Sequence, residues 1–424
     1  MNPLPAFRTT RGHLLTCACL CVHLSAQAAD SYKLNNTTDL NQISSWENDT
    51  APTSADVANW DNFVTSANST QLGANLAWDG IRVADPAGPV TISGAHTLSL
   101  GASGINLSGA TQNLTLNSAL ALTADQSWSS ATGRRITVSG PISGAFNFTK
   151  TGAGELVLNG AGNNAYNNLV YDTSGGIAAS STLFLGKTGG SLAVAAGKTV
   201  QFGTGNTGQA NLRMLQPQQF GAGVVMNFGN ADGQWSRFDL NGYSQTLAGI
   251  NTGVLGTRGG GVIQNRLLGD NTTQLGPVTL TLNGDGNYVF NGHLRDVDGG
   301  TVGNNQLKLV KNGTGTQTLA GNVISYTGGT EVNDGKLLLG VMVTGGTGTI
   351  RGAVTVNSPG VLDYAGDNSF GYSAGLNVNA LTINNTTVGG ANFNQHFYTN
   401  FALNMTGATL LLGGTNNEFH NTTI

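Results

Sequence analysis

From Pro89 onward the chain alternates apolar and polar residues in short runs. Val90-Thr91-Ile92, Thr97-Leu98-Ser99-Leu100, Ile105-Asn106-Leu107, Asn113-Leu114-Thr115-Leu116 and Arg135-Ile136-Thr137-Val138 carry the two-residue period of a strand with one buried face. Turn signals such as Ser93-Gly94-Ala95 and Ser108-Gly109-Ala110 close the runs, at the spacing of about 8 residues that marks sandwiches, barrels and solenoids. The pattern predicts an all-β chain. Helical periodicity is confined to residues 212–220, where Pro217 breaks it. Disorder is excluded by the same alternation, which unstructured chains lack.

Length decides among the all-β architectures. A single sandwich rarely exceeds about 250 residues, yet this texture continues to residue 424 with no Pro-rich hinge or charge run. A β-solenoid accommodates that length by adding turns. At about 20 to 25 residues per turn and a strand spacing of about 4.8 Å, the sequence predicts on the order of 16 to 20 turns and a rod of about 80 to 90 Å. Residues 29–88 differ in texture, holding Trp46, Trp60, Trp78 and Pro52. They are expected to form an irregular, aromatic-rich cap over the open apolar end of the solenoid, which then spans 89–424.

Composition narrows the picture. Only 9% of residues are charged and Gly contributes 63 of 424, whereas helices with solvent faces are dense in Glu, Lys and Arg. The net charge of −4 gives no nucleic-acid surface. At the N-terminus, Arg8 and Arg11 precede an apolar run over 14–24 and the small-residue site Ala26-Gln27-Ala28, so residues 1–28 read as a cleaved signal peptide. That run is too short to span a bilayer. Cys17, Cys19 and Cys21 all fall inside it, leaving the mature chain without thiols for disulfides or metals.

One phrase is written twice. Phe148-Thr149-Lys150-Thr151-Gly152-Ala153-Gly154-Glu155-Leu156 and Leu309-Val310-Lys311-Asn312-Gly313-Thr314-Gly315-Thr316-Gln317 each read as strand, Lys, glycine turn, strand. A unit so small buries its apolar face only against a neighbouring unit of the same shape. The second copy continues through Leu319-Ala320-Gly321, Tyr326, Gly328-Gly329-Thr330 and Val332-Asn333-Asp334-Gly335-Lys336-Leu337, whereas the first keeps Tyr166 but has Asn167-Asn168-Leu169 at the Gly-Gly-Thr position. These segments, near 146–178 and 307–340, resemble the autotransporter-associated β-strand repeat of bacterial passenger domains. The resemblance implies a right-handed parallel β-helix, secreted or displayed at the cell surface of a Gram-negative type cell after signal-peptide cleavage, and it implies no reaction. The translocating barrel of that family is not seen in the sequence, so any membrane contact is expected through a part outside this chain, and the chain is expected to be incomplete at Ile424.

Several residues invite chemistry. Gly371-Tyr372-Ser373-Ala374-Gly375 fits the G-x-S-x-G nucleophile pattern, which requires a strand-to-helix turn that the sequence does not offer. Asp285, Asp296 and Asp298, with Asn283 and Asn287, hold oxygen ligands that would suit weak calcium binding, but the EF-hand spacing fails and solvated loop carboxylates are favoured. His96, His293, His396 and His420 lack ligand spacing and are expected at the surface. Lys150 and Lys311 read either as cations lining a face for acidic glycans or, favoured, as strand-end lysines that keep an edge from pairing and lie over the turn. The three tryptophans read as sugar platforms or, favoured, as an end plug. No catalytic, cofactor-binding or metal-ligating residue is assigned and no cofactor is expected. The expected function is a structural or adhesive solenoid without catalytic activity, whose partners are glycans or other cell surfaces. The alternatives are a polysaccharide-cleaving lyase or hydrolase, for which Asp285, Arg295, Asp296 and Asp298 would have to converge, and a carbohydrate-binding module.

Overall fold

Parallel pairing in register organises the chain. A computed structural model describes residues 29–172, 181–203, 210–229, 235–252, 260–267, 273–298, 303–320, 324–340, 348–390, 393–397 and 401–419. Its strands form sheets of 12, 10, 7, 6 and 2 strands, wound into a β-solenoid of about 14 turns. Most consecutive strands fall in different sheets, and strands pair in parallel with strands about one turn away, as Val90–Ser93 does with Leu114–Leu116.

Alternation then becomes a core. Val90, Leu114, Ile136, Leu156, Leu183, Leu212, Phe238, Ile263 and Leu294 are register partners in succession along the ten-stranded sheet. Each is at most 1% exposed. A side chain one residue away faces outward, so a single slip would turn the whole column to water. Burial of each such side chain is worth roughly 1.5–3 kcal/mol, and the gain repeats with every turn added.

The turns are longer than the sequence predicts, and there are fewer of them. Register advances by 20 residues from Arg135 to Glu155 but by 35 from Leu247 to Leu282 and from Ser244 to Thr279. Residues inserted between paired strands add nothing to the rise, which the strand spacing alone sets. At about 4.8 Å per turn the rod is about 65 Å long. Among the described residues there is no α-helix. Leu212 lies in the strand Ala210–Met214, and the 3-10 turns Ile43–Ser45 and Glu47–Asp49 are the short helical segments near the start. No helix of the described residues is long and apolar enough to cross a membrane. The segment read as a signal peptide lies outside the described residues.

At the N-terminal end the chain pairs its own open edge. The amides of Leu40 and Asn41 donate to the carbonyls of Gln71 and Leu72 at 2.8 and 3.1 Å, beside the edge strand Asn68–Gln71. Trp46 lies edge-on to Trp60 and Trp78, with ring centroids 5.8 and 5.7 Å away. All three rings are buried, and the indoles of Trp46 and Trp60 donate to Leu40 O and Asn68 Oδ1. Their faces are closed to a sugar. Trp46→Ala is expected to cost about 3–5 kcal/mol, read as a lower urea midpoint in the transition followed by tryptophan fluorescence.

Candidate functional site: inward lysines and an arginine cluster

In both copies the repeated phrase forms a corner between two sheets. The first joins Phe148–Thr151 to Glu155–Gly160, and the second joins Leu307–Asn312 to Thr316–Leu319. Gly152 and Gly313 take the left-handed conformation, with φ of 73° and 71°. The second glycine of each corner answers a different need. A Cβ on Gly154 or Gly315 would strike the carbonyl oxygen of Ala131 or Gly286 in the preceding turn.

The lysines of the phrase point inward, which corrects the expectation that they lie over the turn. Lys150 is fully buried and Lys311 is 2% exposed. Each stands in an apolar column, Lys150 between Trp128 and Tyr171 and Lys311 between Leu282 and Val332. Lys150 Nζ donates to the carbonyls of Thr151 and Gly152 at 2.8 and 2.9 Å and to Ser181 Oγ at 3.2 Å, and lies 5.2 Å over the Tyr171 ring. Lys311 Nζ donates to the carbonyls of Asn312, Gly313 and Asp334 at 2.8, 2.6 and 3.2 Å. The lysine therefore pins the carbonyls of its own glycine corner, which leave the ladder at the bend. Alternation carried this signal: Phe148 and Lys150, or Leu309 and Lys311, share one strand face. Lys33 and Lys187 are likewise buried and bound to carbonyls, those of Leu34 and Asn36 and that of Gly140.

A second concentration of charge covers the outward side of the ten-stranded sheet over its last four strands, Ala210–Met214, Ser236–Asp239, Gly261–Gln264 and His293–Arg295. Arg213, Asp239, Gln264 and Arg295 are successive register partners. Arg213 Nη2 lies 3.7 Å from Asp239 Oδ2, Gln264 Nε2 donates to Asp239 Oδ1 at 2.6 Å, and Arg295 Nε donates to Gln264 Oε1 at 3.0 Å. Asp298 receives Arg295 at 2.9 Å and Arg266 at 3.4 Å. Arg237 stands two residues before Asp239 on the same strand face. Burial holds the guanidinium pKa values of Arg213, Arg237 and Arg295 below their ordinary range and pushes the Asp239 carboxyl up, against the pull of Gln264 and the arginines.

The other predicted residues are dispersed. Asp285 occupies the turn between Val278–Asn283 and Asn287–Phe290. Asp296 is committed to the Leu307 amide at 2.8 Å and to the amide and hydroxyl of Thr327 at 3.1 and 2.7 Å. Of the proposed quartet, only Arg295 and Asp298 meet. Among the described residues no group of three or more His, Cys, Asp or Glu is placed to hold a metal ion. Ser373 lies in a turn, its carbonyl accepting from the Leu376 amide, and the strand Val378–Asn384 follows it where a nucleophile elbow needs a helix. His293 is buried edge-on to Trp235 at 5.0 Å, not at the surface, because its strand's outward face is covered there. His96 is exposed, and His420 lies outside the described residues.

A family model described as Passenger-associated-transport-repeat matches residues 148–169 and 309–339, the two segments that contain the lysine corners. The chain carries two passenger-associated-transport repeats. It is also 32% identical over 197 residues to Adhesin BmaC autotransporter of Brucella suis biovar 1 (strain 1330), an alignment covering 44% of this chain and 5% of that protein. The chain thus spans a small part of that relative's length. No solved structure matches the chain.

Both transport repeats bury their tyrosine, Tyr166 donating to Ala193 O at 2.7 Å and Tyr326 sharing a hydrogen bond with Thr330 Oγ1 at 2.6 Å. The first repeat dispenses with Gly-Gly-Thr because Asn167 and Asn168 both donate to Asn147 Oδ1, in the preceding turn. The second bends at Gly329, with φ of 86°.

The buried amines give the repeats a pH signature. Burial pushes Lys150 down to about 7 and Lys33 and Lys187 down to about 8, and it lowers Lys311. These folded values lie below the value of about 10.4 for lysine in an unfolded chain. Between about pH 7 and pH 10 the unfolded chain therefore binds more protons, and stability rises with pH. Above about pH 10 the trend reverses, because burial raises the phenols of Tyr166, Tyr171 and Tyr326 while those of the unfolded chain ionise. The denaturation midpoint is expected to climb from pH 7 to about 9.5 and then fall. Lys150→Met should cost about 1–3 kcal/mol at pH 9 by taking the amine from the Thr151 carbonyl and leaving that of Gly152 to Ser181 Oγ alone, and should flatten the climb. A midpoint that falls between pH 7 and 9 would contradict the inward placement of these amines.

Proposed function

We propose that this chain is part of a secreted or surface-displayed passenger that adheres through its extended outer faces and catalyses no reaction. The observation that carries this reading is the pairing of two transport repeats with 32% identity to a protein named as an autotransporter adhesin. The fold supports it. Each turn adds a further strip of outward Thr, Ser and Asn, such as Thr91, Thr115 and Thr137 in one register column, and neutral hydrogen-bonding groups of this kind suit glycans and other cell surfaces. A removed signal peptide at 1–28, a cap over 29–88 and a solenoid beyond it belong to the same proposal. The hydrogen bonds that hold Asp296 to Leu307 and Thr327, and the place of Asp285 in the turn between Val278–Asn283 and Asn287–Phe290, weigh against a polysaccharide-cleaving groove.

Beads coated with the purified chain are expected to bind cultured animal cells or heterologous bacteria several-fold more than albumin-coated beads. Equal binding would sink the adhesive reading. Incubation with acidic and neutral polysaccharides is expected to release no new reducing ends or unsaturated products. Their appearance in proportion to protein would move the chain to the enzyme alternative.

A further inference from the structure

The outer face of the ten-stranded sheet changes character along the rod. Its central outward column runs Ser69, Thr91, Thr115, Thr137, Val157, Phe184, Arg213. Val157 and Arg213 are buried under neighbouring chain, whereas Ser69 is exposed and the three threonines are half-buried. Two residues further along each strand stands a second outward column, Gln71, Ser93, Asn117 and Ser139, likewise exposed or half-buried. The first four turns of this sheet therefore present a bare, neutral lattice of polar side chains, with a period of about 4.8 Å from turn to turn and about 6.6 Å along the strand.

The groups of this lattice are left free. Among the described residues, the hydrogen bond within it is the one from Asn117 Nδ2 to Ser93 Oγ, at 3.2 Å. The hydroxyls of Ser69, Thr91, Thr115, Thr137 and Ser139 and the Gln71 amide have no partner among the described residues. Polar columns elsewhere behave differently, the amides of Asn312, Asn333, Asn357 and Asn384 satisfying one another along the rod.

The character of the face selects its partner. Its backbone N–H and C=O groups are taken up by the ladder, so an added peptide strand finds nothing to pair with there. The two columns carry no charge, and Arg135 at their border is paired with Glu155 at 2.6 Å, which leaves no counter-charge for an acidic chain or a nucleic acid. A neutral polyhydroxyl chain suits both properties. An extended β-linked glycan advances by close to one strand spacing per sugar, so a chain laid along the rod meets an equivalent pair of polar groups at every sugar.

We propose that this face binds a linear, uncharged β-linked polysaccharide lying along the rod, one sugar to each turn. The proposal deepens the adhesive reading and rests on it for the polysaccharide's place on a cell surface. Val157 takes the next position in the threonine column with an apolar, covered side chain, which limits the site to about four sugars.

The test uses the purified full chain, with cellobiose, cellotetraose, cellohexaose and maltohexaose as probes in calorimetric titration. Affinity is expected to rise at least about 10-fold from cellobiose to cellotetraose and by less than about 3-fold from there to cellohexaose. Maltohexaose, whose α-linkages curl the chain out of step with the turns, is expected to bind at least about 10-fold more weakly than cellohexaose. Thr115→Val keeps the shape and strand preference of the residue and should lose about 2- to 10-fold in cellotetraose affinity, the equivalent of one hydrogen bond. Thr355→Val, the same change on an outward position of Gly352–Asn357 in the seven-stranded sheet, should bind as the native chain does. Equal affinity for maltohexaose and cellohexaose, a 10-fold gain beyond cellotetraose, or an equal loss in the two variants overturns the site. A dimer that Thr115→Val dissolves, read by light scattering, also overturns it and gives the face to a second copy of the chain. Coated beads that adhere to cells while no cello-oligosaccharide binds overturn the site and leave the adhesive reading standing. Cellotetraose binding by a chain whose beads never adhere supports the site and sinks the adhesive reading.

Discussion

The in-register parallel ladder is the constraint from which the rest of this structure follows. Backbone pairing places each residue beside its counterpart one turn away, at about 4.8 Å, so every position in a turn becomes a column running along the rod. Columns of Leu, Ile, Val and Phe form the core at no cost in unpaired backbone. A column admits nothing that cannot tolerate its neighbours. The glycine corners show this most sharply, since Gly154 and Gly315 are required by the carbonyls of the previous turn and not by their own torsions.

Polar residues obey the same rule. Asn333 donates to Asn312, Asn357 to Asn333 and Asn384 to Asn357, at 3.0, 2.8 and 2.8 Å, making a one-way ladder of side-chain amides along one edge of the seven-stranded sheet. An amide carries both donor and acceptor, so stacked copies satisfy one another as the backbone does. The inward lysines solve a related problem. Where a glycine corner turns carbonyls out of the ladder, a column position is given to an amine that reaches them.

Much of the fold was legible because alternation and stacking are one signal at two scales. Leu98, Leu100, Ile105, Leu107, Leu114 and Leu116 are read as inward from sequence and are all fully buried. Turn length was not legible, because the residues added between Ser244 and Thr279 have the same Gly, Asn and Thr texture as the corners. The inward lysines are legible by the same period, since steps of two from Phe148 or Leu309 reach them, but lysine's strong preference for water points the other way. The arginine cluster could not be read. Arg213, Arg237, Arg266 and Arg295 meet only through register steps that vary from turn to turn, and no spacing in the sequence announces them.

The scarcity of charge has its explanation in the same geometry. A charged residue on an outward column lies near the equivalent position of two other turns, where a like charge at about 4 Å costs about 1 kcal/mol even in water and more where water is excluded. Several of the charges kept outside are accordingly paired across turns: Arg135 with Glu155 at 2.6 Å, Lys308 with Glu331 at 2.7 Å and Lys336 with Asp363 at 2.9 Å. Neutral Thr, Ser and Asn fill the columns that repulsion closes to Lys and Glu. A surface made this way is hydrogen-bonding and nearly uncharged along its length, which is a property of the stacking before it is a property of any ligand. Against that background four arginines over successive turns oppose the rule that shapes the rest of the surface. Asp239 and Gln264, which separate Arg213 from Arg295 in the column, are what allow them to persist there.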